Sequence, residues 1–176
     1  PFNCDGMPRQ WHTATFLPDR QLLISFGGEA ITPATTSTNK GKNKSTSQKC
    51  KTTDQVMVLD TEIMLWYPPT VSGDVPSGRS GHTATMLSKT NELIVFGGVK
   101  GSKWLNTVSC LDTLRWKWRT PKIQGAAPKP RSYHTATALP DNRVVVFGGN
   151  DATQSFATVH VLETCPSSTD GGVGTE

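Results

Sequence analysis

The chain contains 176 residues, of which 35% are hydrophobic, and it carries a formal net charge of +4. This length is sufficient for one globular domain, and no apolar run approaches the ~20 residues that a membrane span needs. The charge is uneven, because residues 31–51 contain five lysines and no acid, whereas the remaining sequence is nearly neutral. A nearly neutral body argues against the broad basic groove that nucleic-acid binding requires.

One pattern occurs three times along the chain. Each copy begins with Arg-x-x-His-Thr-Ala-Thr and, after a second apolar run, reaches a Gly-Gly pair. The copies begin at Arg9, Arg79 and Arg131. Two short β-rich runs separated by turn residues predict a β-hairpin, and Gly-Gly is typical of a position with φ values that only glycine adopts without strain. Each copy therefore begins with two predicted strands, a and b.

Two further runs follow strand b. Predicted strand c covers Val56–Asp60, Val108–Asp112 and Val159–Glu163. Predicted strand d carries Trp66 and Trp118, and the third copy has no such run. Equivalent positions lie 51 or 52 residues apart, except for 18 extra residues after Gly28 in the first copy. No segment has helical periodicity, so we predict antiparallel four-stranded meanders.

This repeat resembles the kelch repeat of β-propellers, in which Gly-Gly closes the second strand and tryptophan lies in the fourth. The linker Gly-x-x-Pro-x-x-Arg-x-x-His, which begins at Gly73 and Gly125, is most similar to the long-repeat kelch proteins of the host-cell-factor-like and Rab9-effector-like types. The resemblance implies an all-β fold: a partial kelch β-propeller with two complete four-stranded blades and three strands of a third.

We expect residues 1–164 to form the kelch repeats and residues 165–176 to form a polar tail. Blade 1 covers about residues 9–70, including a basic insert at 31–51, blade 2 covers about 79–122, and partial blade 3 covers about 131–164. Propellers typically have about four to eight blades. We therefore expect the remaining blades to come from a longer chain or from a second copy of this one.

The connections of an antiparallel meander alternate between the two ends of its strands. We call the end with the b–c loops and the linkers between blades the linker face, and the end with the a–b and c–d turns the turn face. The resemblance implies that a partner peptide or domain binds the linker face. The candidate partner-binding residues on this face are Arg9, Trp11, Arg79, Ser80, Trp104, Arg131, Ser132 and Tyr133.

Two arguments select these candidates. Trp104 has no aromatic counterpart in the other copies, and Trp11 and Tyr133 occupy the position of Gly81, which suits a variable partner surface rich in binding hot spots. The arginines on adjacent blades either fix the linkers or clamp a carboxylate or phosphate through their planar donors. An acidic or phosphorylated peptide is therefore the predicted ligand class.

We expect a non-catalytic protein-interaction module, with no catalytic residue, metal or cofactor. The histidines equivalent to His82 lie one per blade and diverge around the axis, so we interpret them as structural, and no acid repeats with Ser80 and His82 to complete a triad. Kelch-like propellers also include copper- and iron-dependent enzymes. A metal-dependent enzyme therefore remains an alternative, as does binding of acidic surfaces by the lysine-rich insert.

Cysteine spacing bears on the cellular compartment. The four cysteines, Cys4, Cys50, Cys110 and Cys165, form no Cys-x-x-Cys motif. Cys110 occupies a position that valine holds in the other copies, so we predict a small core residue. Free thiols favour a cytoplasmic protein, with a nuclear location as the alternative. A secreted protein with a Cys4–Cys165 or Cys4–Cys50 bridge is less favoured.

Overall fold

The computed structural model describes residues 8–31 and 50–163. This part of the chain consists of strands, turns and one 3₁₀ turn at Pro18–Arg20, and it has no helix long and apolar enough to cross a membrane. The strands are β1 (Arg9–Gln10), β2 (Thr13–Leu17), β3 (Leu22–Phe26), β4 (Glu29–Ile31), β5 (Cys50–Thr52), β6 (Val56–Asp60), β7 (Leu65–Tyr67), β8 (Ser72–Gly73), β9 (Thr83–Leu87), β10 (Glu92–Phe96), β11 (Val99–Lys100), β12 (Lys103–Trp104), β13 (Val108–Asp112), β14 (Lys117–Arg119), β15 (Thr135–Ala138), β16 (Val144–Phe147) and β17 (Val159–Leu162).

Three meanders form the blades. Blade 1 has the strand order β2-β3-β6-β7, blade 2 has β9-β10-β13-β14, and blade 3 has β15-β16-β17. Neighbouring strands within each blade are antiparallel, so the chain passes through each blade as a simple up-and-down ribbon. This confirms the prediction of an all-β fold and a partial propeller. Strand a begins at the threonine that follows each histidine rather than at the histidine itself.

The core lies between the blades, where the broad faces of adjacent sheets meet. Blade 1 contributes Ile24, Phe26, Val56 and Val58, and blade 2 covers them with Leu93, Val95, Leu111 and Trp118. The Trp118 ring packs against the Phe26 ring with centroids 5.1 Å apart. An aromatic pair of this kind buries a large apolar area, and it fixes strand d of blade 2 against strand b of blade 1.

A second core joins blades 2 and 3. It contains Ile94, Phe96 and Cys110 of blade 2 together with Val144 and Val146 of blade 3. Strand β10 is therefore buried on both faces, which explains its continuous apolar sequence. Cys110 is the small core residue that its repeat position predicts, and burial raises the pKa of its thiol to about 11.

Short strands extend the linker face. Strand β1 pairs with β4, which pairs with β5, and β11 forms a hairpin with β12. The linker between blades 1 and 2 contributes β8, which runs parallel to β14 and extends the edge of blade 2. Most of the predicted basic insert, the polar tail, and both Cys4 and Cys165 lie outside the described residues.

Candidate functional site

Arg79 connects two blades. Its Nη1 donates to the carbonyl oxygen of Gly97 (3.1 Å) and to Oγ1 of Thr107 (3.1 Å), both in its own blade. Its own carbonyl oxygen accepts the N–H of Gly28 from blade 1 at 2.8 Å. The residue is only 2% exposed, and burial lowers the pKa of its guanidinium to about 10. Arg79 therefore remains charged at neutral pH, and its guanidinium donates hydrogen bonds within the fold.

Arg131 repeats this arrangement one blade later. Its Nη1 donates to the carbonyl oxygen of Gly148 at 2.9 Å and to Oγ1 of Thr158 at 3.2 Å, and its carbonyl oxygen accepts the N–H of Gly98. The guanidinium also lies over the ring of Phe156, 4.4 Å from the centroid. Arg131 is fully buried in the chain.

The structure therefore does not bring the arginines together as a ligand clamp, and of the two roles that the sequence left open it favours the one in which the arginines fix the linkers. Arg79 and Arg131 each turn inward to the first glycine of their own Gly-Gly pair, because those carbonyl groups otherwise lack a donor. Arg9 follows the same rule at a half-buried position, and it donates to Gly27 O and to Oε1 of Gln55. All three arginines act as struts of the linkers.

The predicted serines are buried as well. Ser80 Oγ donates to Oε1 of Glu29 in the preceding blade at 3.0 Å. Ser132 Oγ donates to Oδ1 of Asn150 at 3.2 Å and accepts the indole N–H of Trp104 at 3.2 Å. Trp104 is half-buried, so its indole joins the b–c hairpin of blade 2 to the linker of blade 3. These three residues order the linker face, and none presents a fully free side chain.

His82 and His134 pack between adjacent blades. The Nε2 atom of His82 lies 3.2 Å from Oγ1 of Thr13, and its ring meets Phe26 edge-on. His134 makes the equivalent contacts with Thr83 and Phe96. The pKa of His82 falls to about 3 because burial, and then the charge of Arg79, disfavours the imidazolium. Both rings are therefore neutral packing groups. Within residues 8–31 and 50–163, no group of three or more His, Cys, Asp or Glu side chains is placed to hold a metal ion.

Two large aromatic side chains remain exposed on the linker face. Trp11 is 48% exposed and Tyr133 is 52% exposed. Their rings meet edge to face, with centroids 6.2 Å apart. Two backbone hydrogen bonds connect these residues through blade 2, because Gly81 N donates to Trp11 O and Tyr133 N donates to Gly81 O. Of the predicted site residues, these two are the most accessible, and the fold places them together.

Glu29 is a member of this surface that sequence reasoning missed. It follows the Gly-Gly pair of blade 1, where the other blades have Val99 and Asn150. Burial first, and then the charge of Glu29, raises the pKa of Tyr133. The signal was available in the sequence, since a position that differs among otherwise similar repeats is free to serve a partner instead of the fold.

The stacked antiparallel meanders, with an arginine strut and a Gly-Gly pair in each blade, define a β-propeller repeat protein. The chain belongs to the kelch-repeat family: residues 12–169 match the family model described as the KLHDC2/KLHL20/DRC7 Kelch-repeats domain. Membership of this family indicates a protein-interaction module.

Curated relatives agree with this assignment. The chain is 30% identical to Kelch domain-containing protein 2 of Bos taurus over 134 residues, which is 76% of this chain and 30% of that protein. It is 33% identical to Acyl-CoA-binding domain-containing protein 4 of Arabidopsis thaliana over 62% of this chain and 16% of the relative. It is 35% identical to Host cell factor 1 of Homo sapiens over 49% of this chain and 4% of that protein. The chain thus spans less than a third of the length of each of these relatives.

Proposed function

We propose that the chain is a non-catalytic protein-interaction module that binds a partner peptide or domain on its linker face. The observation that carries this proposal is the exposed aromatic pair Trp11 and Tyr133. Large rigid aromatic side chains dominate binding hot spots, because they bury much area for little loss of side-chain entropy. Support also comes from the family, whose members carry the same repeats.

The proposal does not depend on an acidic ligand. That prediction relied on a clamp formed by Arg79 and Arg131, and their inward bonds remove its basis. The lysine-rich insert lies largely outside the described residues, so its binding to acidic surfaces stays a prediction from the sequence. We also propose a cytoplasmic location, because the wide spacing of the four cysteines in the sequence favours free thiols.

The test compares two faces of the same molecule. Tagged wild-type chain, a linker-face variant (Trp11→Gly with Tyr133→Gly) and a turn-face variant (Ile63→Ser with Leu114→Ser) are used in parallel affinity purifications with quantitative mass spectrometry. Ile63 and Leu114 are exposed hydrophobic residues in the c–d turns and serve as the matched control. We expect partners to be lost with the linker-face variant and retained with the turn-face variant. The proposal is contradicted if partners are lost only with the turn-face variant, or if both variants retain all partners.

We also propose that a further blade of the same type covers the open face of blade 3. The support is a comparison of equivalent residues. Phe26 and Phe96 are 1% and 5% exposed because a following blade covers them, whereas the equivalent Phe147 of blade 3 is 51% exposed. An added Cβ at Gly27 or Gly97 would lie 2.7 Å from the histidine of the next blade, whereas at Gly148 it would meet only Phe156 O at 3.6 Å. A further blade would supply the histidine that fits this position.

A further inference from the structure

The residues of the linker face that differ from blade to blade lie together. Trp11 and Tyr133 are in edge contact across Gly81, and an added Cβ on Gly81 would lie 3.0 Å from Cε1 of Tyr133. Glu29 belongs to the same group, because its backbone pairs with Gln10, the neighbour of Trp11. Blade 1 therefore contributes Trp11 and Glu29, blade 2 contributes Gly81, and blade 3 contributes Tyr133 to a single small surface.

The carboxylate of Glu29 is held in place but is not neutralised. The hydroxyl of the buried Ser80 donates to its Oε1 at 3.0 Å. Glu29 forms no ion pair in the part of the chain that the structure describes, where the acids in ion pairs are Glu92, Asp112 and Asp141. The side chain of the neighbouring Arg9 donates instead to Gly27 and Gln55. A half-buried, oriented carboxylate without a cation attracts one from outside, because charge-assisted hydrogen bonds are the stronger kind.

The backbone does not explain why aromatic residues occupy this position. Trp11 and Tyr133 have φ values of 55° and 56°, in the left-handed region, and the equivalent Gly81 has φ 62°. Glycine adopts this conformation without steric conflict, whereas a bulky residue does not. The aromatic side chains are therefore present despite the local backbone preference, and such observed strain supports a functional role.

We propose that Trp11, Tyr133 and Glu29 form a binding site for the cationic group of an arginine or lysine side chain on a protein partner. The faces of tryptophan and tyrosine rings attract a cation through their quadrupoles. The Glu29 carboxylate supplies the counter-charge, and Ser80 positions it. The proposal rests on the protein-interaction function above and assigns the chemistry of the partner.

The experiment uses the 176-residue chain and two short peptides. The probe is acetyl-Gly-Arg-Gly-amide, and its control carries citrulline, which has the same shape as arginine but no charge. Binding is followed by the ¹H–¹⁵N signal of the Trp11 indole, which is identified by its loss in Trp11→Phe. We expect a saturable shift with the arginine peptide and none with the citrulline peptide. The buried Trp118 indole reports in the same spectrum whether the fold is intact.

Variants test each part of the site. Glu29→Gln keeps an acceptor for Ser80 but removes the charge, and Tyr133→Gly installs the residue that blade 2 uses at this position. Each is expected to weaken binding by about fivefold, the size of an exposed ion pair or cation–π contact. Glu62→Gln, at an exposed acid on the turn face, serves as the matched control and leaves binding unchanged. If Tyr133→Gly disturbs the Trp118 signal, the affinity of Glu29→Gln for the arginine peptide alone tests the site.

Equal binding of the citrulline peptide, preference for a peptide with glutamate in place of arginine, or full affinity in Glu29→Gln overturns the cation site. The affinity purifications separate this failure from failure of the proposed function. A partner that is lost only with the linker-face variant, combined with no binding of the arginine probe, preserves the interaction module and removes the cation chemistry. Absence of any partner on the linker face removes both.

Discussion

At the scale of single residues, the most informative feature is how the fold uses its charged and titratable groups. The arginine struts satisfy glycine carbonyl groups, and the histidines remain neutral between blades. The arginines look like ligand-binding residues in the sequence because the same donors serve both purposes, whereas the repeat pattern already indicates that the histidines are structural. Trp11 and Tyr133 differ from these groups because their side chains are exposed, and the half-buried Glu29 lies at a position that varies among the blades.

The buried histidines should make stability depend on pH. Burial, and then nearby positive charge, holds the pKa of His82 at about 3 and that of His134 at about 4. In the unfolded chain both groups titrate near the ordinary value of about 6.5. Protons therefore bind the unfolded state first, and the free energy of unfolding decreases as pH falls from about 6.5 towards 4, by about 1.4 kcal/mol per pH unit for each histidine.

Chemical denaturation at pH 7.5, 6 and 5 tests this dependence. The double variant His82→Gln, His134→Gln is expected to be less stable at pH 7.5 but to lose less stability on acidification than the wild type. His12→Gln is the control, because His12 occupies the same repeat position but is exposed. Identical losses on acidification in the double variant and the wild type would show that other groups govern the acid sensitivity.

At the scale of elements, the end of strand b is the point where one blade meets the next. The carbonyl oxygen of the first glycine of the Gly-Gly pair accepts a hydrogen bond from the arginine of its own blade. Where a following blade is present, its histidine packs against the same glycine. At Gly97 an added Cβ would lie 2.7 Å from Cε1 of His134 and 2.8 Å from Arg131 O. The close approach of two blades, in addition to the positive φ, therefore requires glycine here.

This requirement predicts different effects for the same substitution at two glycines. Gly97 and Gly101 both have positive φ, but an added Cβ at Gly101 meets nothing within 4 Å. Gly101→Ala should lower the free energy of unfolding by about 1–2 kcal/mol through backbone strain. Gly97→Ala should cause the same loss and a further loss of about 1–3 kcal/mol through the clash. Urea denaturation measures both values. Gly148→Ala should resemble Gly101→Ala, and equal losses at Gly97 and Gly101 would refute the close contact.

At the scale of the whole molecule, the described chain has apolar surface on the open face of blade 3. Blade 3 exposes Phe147, Val159 and Val161, whereas Phe26, Val56 and Val58 at the equivalent positions of blade 1 are buried by blade 2. A repeat unit cannot bury both of its faces alone. Strand β17 also pairs only with β16 among the described residues, and an unpaired edge of this kind favours association.

Analytical ultracentrifugation of the isolated 176-residue chain tests this surface. We expect concentration-dependent association of the wild type, because water is unfavourable around the exposed apolar face. Phe147→Asp combined with Val161→Lys should reduce association, whereas Ile63→Asp, a matched change at an exposed residue of the turn face, should not. A wild-type chain that stays monomeric at all concentrations would show that the open face of blade 3 does not drive association.

The sequence by itself determined the blades and their order, because each strand, glycine pair and tryptophan recurs at a nearly constant spacing, and a meander needs only local pairing. It also placed the linkers and b–c loops at one end of the strands. Only the tertiary structure decided which side chains of the linker face are available. Arg79 and Tyr133 look equally suitable in sequence, but the Gly97 carbonyl lies within reach of Arg79, whereas Tyr133 lies over Gly81 and remains exposed. This choice depends on contacts between residues far apart in the chain, and the repeat pattern does not specify them.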